Sequence, residues 1–294
     1  MNSVLSLEPA SLASYLWPPF ATDPSSLAQF RAQVLSFYDE HGRTFAWRKT
    51  SDPYHILLSE VMLQQTQTSR VVPKYERFLS LWPTLEALSQ ATVLDLLTEW
   101  KGLGYNRRAL YLLSCAKESE AWGWTLPESE QQLRALPGVG KATSAALLAF
   151  AFNKPSIYLE TNIRAAIIHA FFSDEEKIRD RKIEEVLALL LDGIDDYKTW
   201  YYALMDWGVL VKALLPNPNR RSAHYSRQGA FENSNRQIRG QLIHYLTETG
   251  PQDAERIAVV LDRFEEERVL ACLSALVGEG FVQEDGGVYS ITRS

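Results

Sequence analysis

Cysteine is nearly absent from this chain: Cys115 and Cys272 are the only two in 294 residues. Two distant thiols build no disulfide framework and fit a reducing compartment. No apolar run approaches the ~20 residues that cross a bilayer. Met1 to Leu27 lacks the basic start and apolar centre of a secretion signal. These absences exclude membrane and secreted classes and predict a cytoplasmic protein. An excess of basic charge is missing too. The formal net charge is −6, which at first sight argues against a nucleic-acid partner. Its distribution does not. Glu248 to Ser294 holds ten acids against four arginines, so the first 247 residues are balanced. Within them Arg220, Arg221, Arg227, Arg236 and Arg239 face only Glu232. Such a local patch attracts phosphate whatever the total charge; its plainer reading is a solvated surface run.

β-type alternation is scarce before residue 250, while apolar residues at helical spacing recur from Leu27 onward. A hydrophobic fraction of 46% with eight tryptophans suffices for a sizeable core. The fold class expected is all-α. One long helical region, His55 to Leu79, is expected to be interrupted or ended near Pro73. Pro216-Asn217-Pro218-Asn219 ends the helical series, because proline cannot continue a helix and asparagine favours turns. Three further helices follow, then two short strands around Asp285-Gly286-Gly287. That order has the pattern of a small winged-helix-like α/β module. The expected division is an N-terminal extension over 1–26, a main domain over 27–230 and the module over 231–294.

The chemistry begins at Leu136-Pro137-Gly138-Val139-Gly140-Lys141-Ala142-Thr143. Glycine allows the positive φ of a tight hairpin and lets a phosphate approach the main chain. Thr143 opens an apolar helix whose first N–H groups would be unpaired and aimed at the turn. A helix N-terminus of that kind binds anions without lysine. About one helix later, Leu159-Glu160-Thr161-Asn162 returns a carboxylate to the same surface. A phosphate holder beside an acid is a minimal kit for chemistry on DNA, although a Gly-x-Gly alone is also a simple linker.

Two other segments add to it. Ser59-Glu60-Val61-Met62-Leu63-Gln64-Gln65-Thr66-Gln67-Thr68 follows Trp47-Arg48-Lys49, and Trp100-Lys101-Gly102-Leu103-Gly104-Tyr105-Asn106-Arg107-Arg108 comes after. In this order, from about Phe45 to Gly208, the chain resembles the helix-hairpin-helix DNA glycosylases, most closely their adenine-specific, MutY-like branch. The resemblance implies the helix-hairpin-helix glycosylase fold and double-stranded DNA with a mismatched or damaged base as partner. It also implies base excision by a monomer associated with the nucleoid.

It further implies roles for single residues. Glu60 matches the general acid that protonates adenine at N7, and its apolar neighbours suit a raised pKa. Glu160 matches the carboxylate that stabilises the sugar cation, a division of labour shared with glycoside hydrolysis. Asn162 and Arg48 match residues near the base pocket. Gln65 and Tyr105 match side chains that wedge into the duplex as the base is flipped out; Tyr105 also reads as a core aromatic. Gly138, Val139, Gly140, Lys141 and Thr143 would hold phosphate, with Arg107, Arg108, Arg220 and Arg221.

The departures carry as much information. The branch ordinarily has aspartate at Glu160; an extra methylene moves a carboxylate by roughly 1.5 Å, and about 1 Å can cost a hundredfold in rate. Ala142 stands where relatives with lyase activity carry a Schiff-base lysine, and where adenine-specific relatives often carry tyrosine. Lys141 is one step earlier, turned by about 100° on a helix. The expectation is therefore a monofunctional DNA N-glycosylase. Many relatives hold a [4Fe–4S] cluster on four cysteines after the last helix; this chain has none there before Cys272, so no iron–sulfur cluster is expected. Asn217 to Tyr225 would replace that loop and touch the DNA backbone. No other cofactor is implied, apart from a monovalent cation at the hairpin. The MutT-like domain that reads 8-oxoguanine is absent from this sequence. Adenine opposite guanine or 8-oxoguanine is the expected target. A glycosylase for uracil, thymine or another damaged base is the alternative, and a non-catalytic DNA-binding scaffold is the alternative of another class.

Overall fold

The computed structural model describes residues 13–17, 19–226 and 229–293. Half of the expected N-terminal extension and Arg227 of the basic run lie outside the described residues. In chain order the helices are α1 (Pro24–His41), α2 (Pro53–Leu63), α3 (Thr68–Leu81), α4 (Leu85–Ser89) and α5 (Val93–Trp100). They continue with α6 (Arg107–Glu118), α7 (Glu130–Ala135), α8 (Lys141–Phe150), α9 (Thr161–Phe171), α10 (Asp180–Leu190) and α11 (Tyr197–Leu214). The C-terminal part adds α12 (Asn235–Thr249), β1 (Gln252–Asp253), α13 (Ala254–Val260), α14 (Glu266–Gly278), β2 (Val282–Asp285) and β3 (Val288–Ile291). The all-α expectation holds, with one small sheet. Among the described residues, no helix is long and apolar enough to cross a membrane.

The chain forms two compact units that interlace in sequence. The first takes residues 1–57, 128–135 and 139–227; the second takes 58–127, 136–138 and 228–294. In the first unit α11 is the central element. It buries Trp200, Tyr201, Trp207 and Val211 against α1 and α9. Phe30 of α1 meets the Trp207 ring edge-on at 5.4 Å, the geometry that aromatic quadrupoles favour.

The second unit holds Phe78, Leu88, Leu96, Trp100 and Leu112 in its core. Thr84 and Thr92 cap α4 and α5 by accepting from the backbone N–H of Ala87 and Asp95, as their positions in the sequence predict. The expected interruption at Pro73 does not occur: Pro73 sits inside α3. The break comes earlier, between α2 and α3, where Gln65 has φ +57°. A left-handed residue ends a helix more sharply than a missing N–H within one.

The C-terminal module packs α12 on α5 within this second unit. Ile238, Leu242, Leu246, Leu276 and Phe281 form its interior. Its sheet has three antiparallel strands in the order β1-β3-β2, one more than the sequence predicts. The hairpin turn is Gly286-Gly287, both with positive φ (57° and 83°), which a two-residue type I′ turn requires.

Candidate active site and DNA interface

Glu160 is the N-cap of α9, and its side chain is folded back over the first turn. Its Oε1 accepts from the backbone N–H of Asn162 and of Ile163, each at 2.7 Å. The Asn162 side-chain amide donates to Oε2 at 3.1 Å. The longer glutamate therefore reaches the N–H donors that an N-cap aspartate ordinarily takes. Burial pushes the Glu160 pKa up; the two N–H donors and the charges of Lys212 and Arg164 oppose that without reversing it. The result is a carboxyl group whose neutral form burial favours, gripped by the residue that the sequence pairs with it.

The corner that carries Glu160 is braced from several sides. Tyr201 of α11 donates its hydroxyl to the carbonyl of Ser156 and accepts from the N–H of Tyr158. Asn219 donates to the Thr161 carbonyl at 3.0 Å. Gly208 of α11 lies so close that an added Cβ would stand 2.0 Å from the Asn162 carbonyl oxygen. Gly208 is not among the site residues the sequence points to, and Asn219 enters there only as part of the 217–225 loop. The signal for Gly208 was present, since a glycine inside an apolar helical pattern marks a close backbone approach.

The Arg48 side chain is 6% exposed. Its two terminal nitrogens meet the Asp206 carboxylate at 2.7 and 2.8 Å, and its guanidinium lies 4.4 Å from the Tyr202 ring centre. Burial lowers the Arg48 pKa, but the hydrogen bonds and charge of Asp206 overturn this and raise it. Arg43 joins the same carboxylate at 2.6 Å. Asp206 is fully buried and holds both arginines.

The hairpin divides its labour. Gly138 has φ +73°, and an added Cβ would stand 2.5 Å from the Tyr111 Cβ, so both conformation and packing demand glycine. Gly140 has an ordinary φ of −86° and is the N-cap of α8, with no side chain capping that end. An added Cβ there meets nothing within 4 Å. The helix starts at Lys141, earlier than the Thr143 start that the sequence predicts. Val139 and Thr143 are buried, at 5% and 7% exposure. Ala142 is exposed, and Lys141 pairs with Glu184 at 2.6 Å.

Glu60 lies on α2 at a partly exposed position between buried Ser59 and Val61. The α2–α3 break that follows presents Gln65, and a second turn presents Tyr105, 42% exposed and also left-handed (φ +48°). Two exposed non-glycine residues in that region, each expected to enter the duplex, fit strain held at a working site. One side chain joins both turns. Arg108 donates to the carbonyls of Val61, Met62, Gln64, Leu103 and Gly104 and to the Thr66 hydroxyl, at 2.6 to 3.1 Å.

That corrects the expectation for Arg108. It is buried, burial pushes its guanidinium down to about 10, and its donors are spent inside the protein. Arg221 is corrected likewise: it donates to the carbonyls of Ile168, Phe172 and Ser173, closing the C-terminus of α9. Arg107 pairs with Glu279 at 2.6 Å, and Arg220 is exposed.

Residues 58–191 match the HhH-GPD superfamily of base excision DNA repair proteins. The match spans somewhat less than half of the chain. It is 34% identical over 194 residues to the adenine DNA glycosylase of Buchnera aphidicola subsp. Baizongia pistaciae, covering 64% of this chain and 54% of that protein. It is 29% identical over 272 residues to the adenine DNA glycosylase of Mycolicibacterium smegmatis, covering 86% and 92%. The chain thus spans about half the length of the Buchnera relative and nearly all of the mycobacterial one. A thermostable thymine-DNA glycosylase superposes with a TM-score of 0.56 at 26% identity, over 62% of this chain and 85% of that one. The fold is shared by a 3-methyladenine DNA glycosylase of H. pylori, TM-score 0.53 at 13% identity.

The cysteines do not fit the iron–sulfur cluster that many HhH-GPD proteins carry. Cys115 is buried in α6, its thiol pushed up to about 12 by burial, and Cys272 is buried in α14. After α11 the chain turns through Pro218–Arg221. Asn219 and Arg221 of that turn satisfy carbonyls at the two ends of α9.

Proposed function

We propose that the protein is a monofunctional DNA glycosylase that removes adenine mispaired with guanine or 8-oxoguanine in double-stranded DNA. The observation that carries this is the Glu160–Asn162 grip at the N-terminus of α9, in a chain similar to adenine DNA glycosylases over most of its length. In this reading Glu60 gives a proton to N7 of the flipped adenine and the bond from C1′ to N9 breaks. The ionised Glu160 stabilises the sugar cation until water adds at C1′ and releases a proton. Ala142 offers no amine for a Schiff base, and Lys141 is held by Glu184, so the product is an abasic site in an unbroken strand. The reaction as written draws on no cofactor; the accessory ion this reading admits is a monovalent cation at the hairpin. The protein acts as a monomer on the nucleoid.

The test is single-turnover base release on duplexes with A opposite 8-oxoguanine, A opposite G, and U or T opposite G, followed by alkali. Alkali-dependent cleavage at A is expected, lost by roughly 10²–10⁴-fold in Glu60→Gln. A second reading, removal of thymine or uracil, is favoured by the likeness to a thymine-DNA glycosylase and by the small side chain at Ala142. Cleavage confined to U or T would establish it. Tight binding without cleavage of any duplex would leave a DNA-binding scaffold.

A further inference from the structure

The C-terminal module holds the turn that carries Tyr105 at three points. Lys101 pairs with Glu248 at 2.6 Å, and Arg107 pairs with Glu279 at 2.6 Å, a carboxylate that Arg239 also holds at 2.5 Å. Between them, Arg236 of α12 donates from Nη1 to the Tyr105 hydroxyl at 3.0 Å. The other terminal nitrogen of Arg236 donates to the carbonyls of Gly229 and Ala230, at 2.7 and 3.3 Å, and its guanidinium lies 6.0 Å from the Phe231 ring centre. Arg236 is thus anchored to the segment just before α12 and extends one donor to the tyrosine tip. The Arg108 guanidinium stands 5.6 Å from the Tyr105 ring centre. An exposed ring on a left-handed residue is fixed at backbone, face and hydroxyl.

We propose that Arg236 is a positioning residue that holds Tyr105 ready to enter the duplex, making the C-terminal module part of the strand-opening apparatus. This rests on the glycosylase reading for the role of Tyr105. The acidic module has no need to bind DNA itself; it acts on DNA through one tyrosine. Holding the ring before contact removes the ordering cost at the moment of insertion, which is how preorganised groups gain over mobile ones.

The experiment is a double-mutant cycle on the full chain with Arg236→Ala and Tyr105→Phe. Two readouts are taken: single-turnover base release, and the fluorescence of 2-aminopurine beside the target base as it unstacks. Tyr105→Phe removes only the hydroxyl, so it stays informative even where Arg236→Ala unfolds, which thermal denaturation would show. Each single variant should slow unstacking and base release by about tenfold, the worth of one hydrogen bond to a charged group. The double variant should be no slower than either. Additive losses, or a salt dependence of binding flatter by about one ion in Arg236→Ala, would make Arg236 a phosphate contact and overturn the proposal. Unchanged unstacking in both single variants would overturn it as well. If the parent unstacks the duplex but releases no base, the glycosylase reading falls while the cycle in fluorescence still decides on Arg236.

Discussion

The guanidinium of Arg108 donates to the carbonyl of Gln64 at 2.6 Å, tying the start of α6 to the break between α2 and α3. The same group reaches Leu103 and Gly104, so one buried cation sets the spacing between the Gln65 and Tyr105 turns. A lysine cannot copy this, because it has one nitrogen and no planar fork.

Arg108→Lys is therefore expected to lose about 2–3 kcal/mol of stability through carbonyls left unpaired in the interior. Urea denaturation measures this directly. A loss under about 0.5 kcal/mol, the range of ordinary surface changes, would show that the carbonyls find water instead.

Glu160 couples stability to pH in the sense opposite to a salt-bridged acid. Its pKa is raised in the folded protein, chiefly by burial, so folding favours the protonated form. Stability should fall as pH rises from the unfolded carboxylate value through the higher folded one. Base release should rise across that same window, since the ionised form stabilises the cation. Glu160→Gln should flatten the stability profile, melt no lower than the parent at pH 7, and lose base release by about 10²–10³-fold. A variant that is both less stable and still active would remove Glu160 from the reaction.

The two hairpin glycines should fail in different ways. Gly138→Ala meets Tyr111 and a left-handed backbone, and is expected to cost about 1–3 kcal/mol of stability. Gly140→Ala has room within the protein and should cost under about 1 kcal/mol, yet weaken binding to duplex DNA because its Cβ stands where a phosphate would approach. Melting temperatures and binding isotherms for both variants separate the two effects; equal stability losses would refute the division.

The helices were legible because their apolar spacing and caps are local: Thr84, Thr92 and the glycines at 286 and 287 act within a turn of their own positions. The α2–α3 break was misplaced because the group that braces it, the Arg108 fork, arrives from more than forty residues away. Reading arginines as phosphate holders failed at Arg108 and Arg221 for a related reason. A carbonyl at a helix end attracts a guanidinium much as a phosphate does, and only the fold decides which it meets. Asn219 carried no signal of its own, since asparagine after proline is ordinary turn chemistry.

The interlacing of the two units has a consequence for synthesis. Helices α2 to α6 emerge from the ribosome long before residues 228–294, which complete the same unit. At ordinary elongation rates that interval lasts about ten seconds. Neither unit is a continuous stretch that could be cut out and expressed alone. Fragments ending near residue 227 would leave Lys101, Tyr105 and Arg107 without their partners Glu248, Arg236 and Glu279, so the nascent chain must keep an unfinished surface soluble until its last helices arrive.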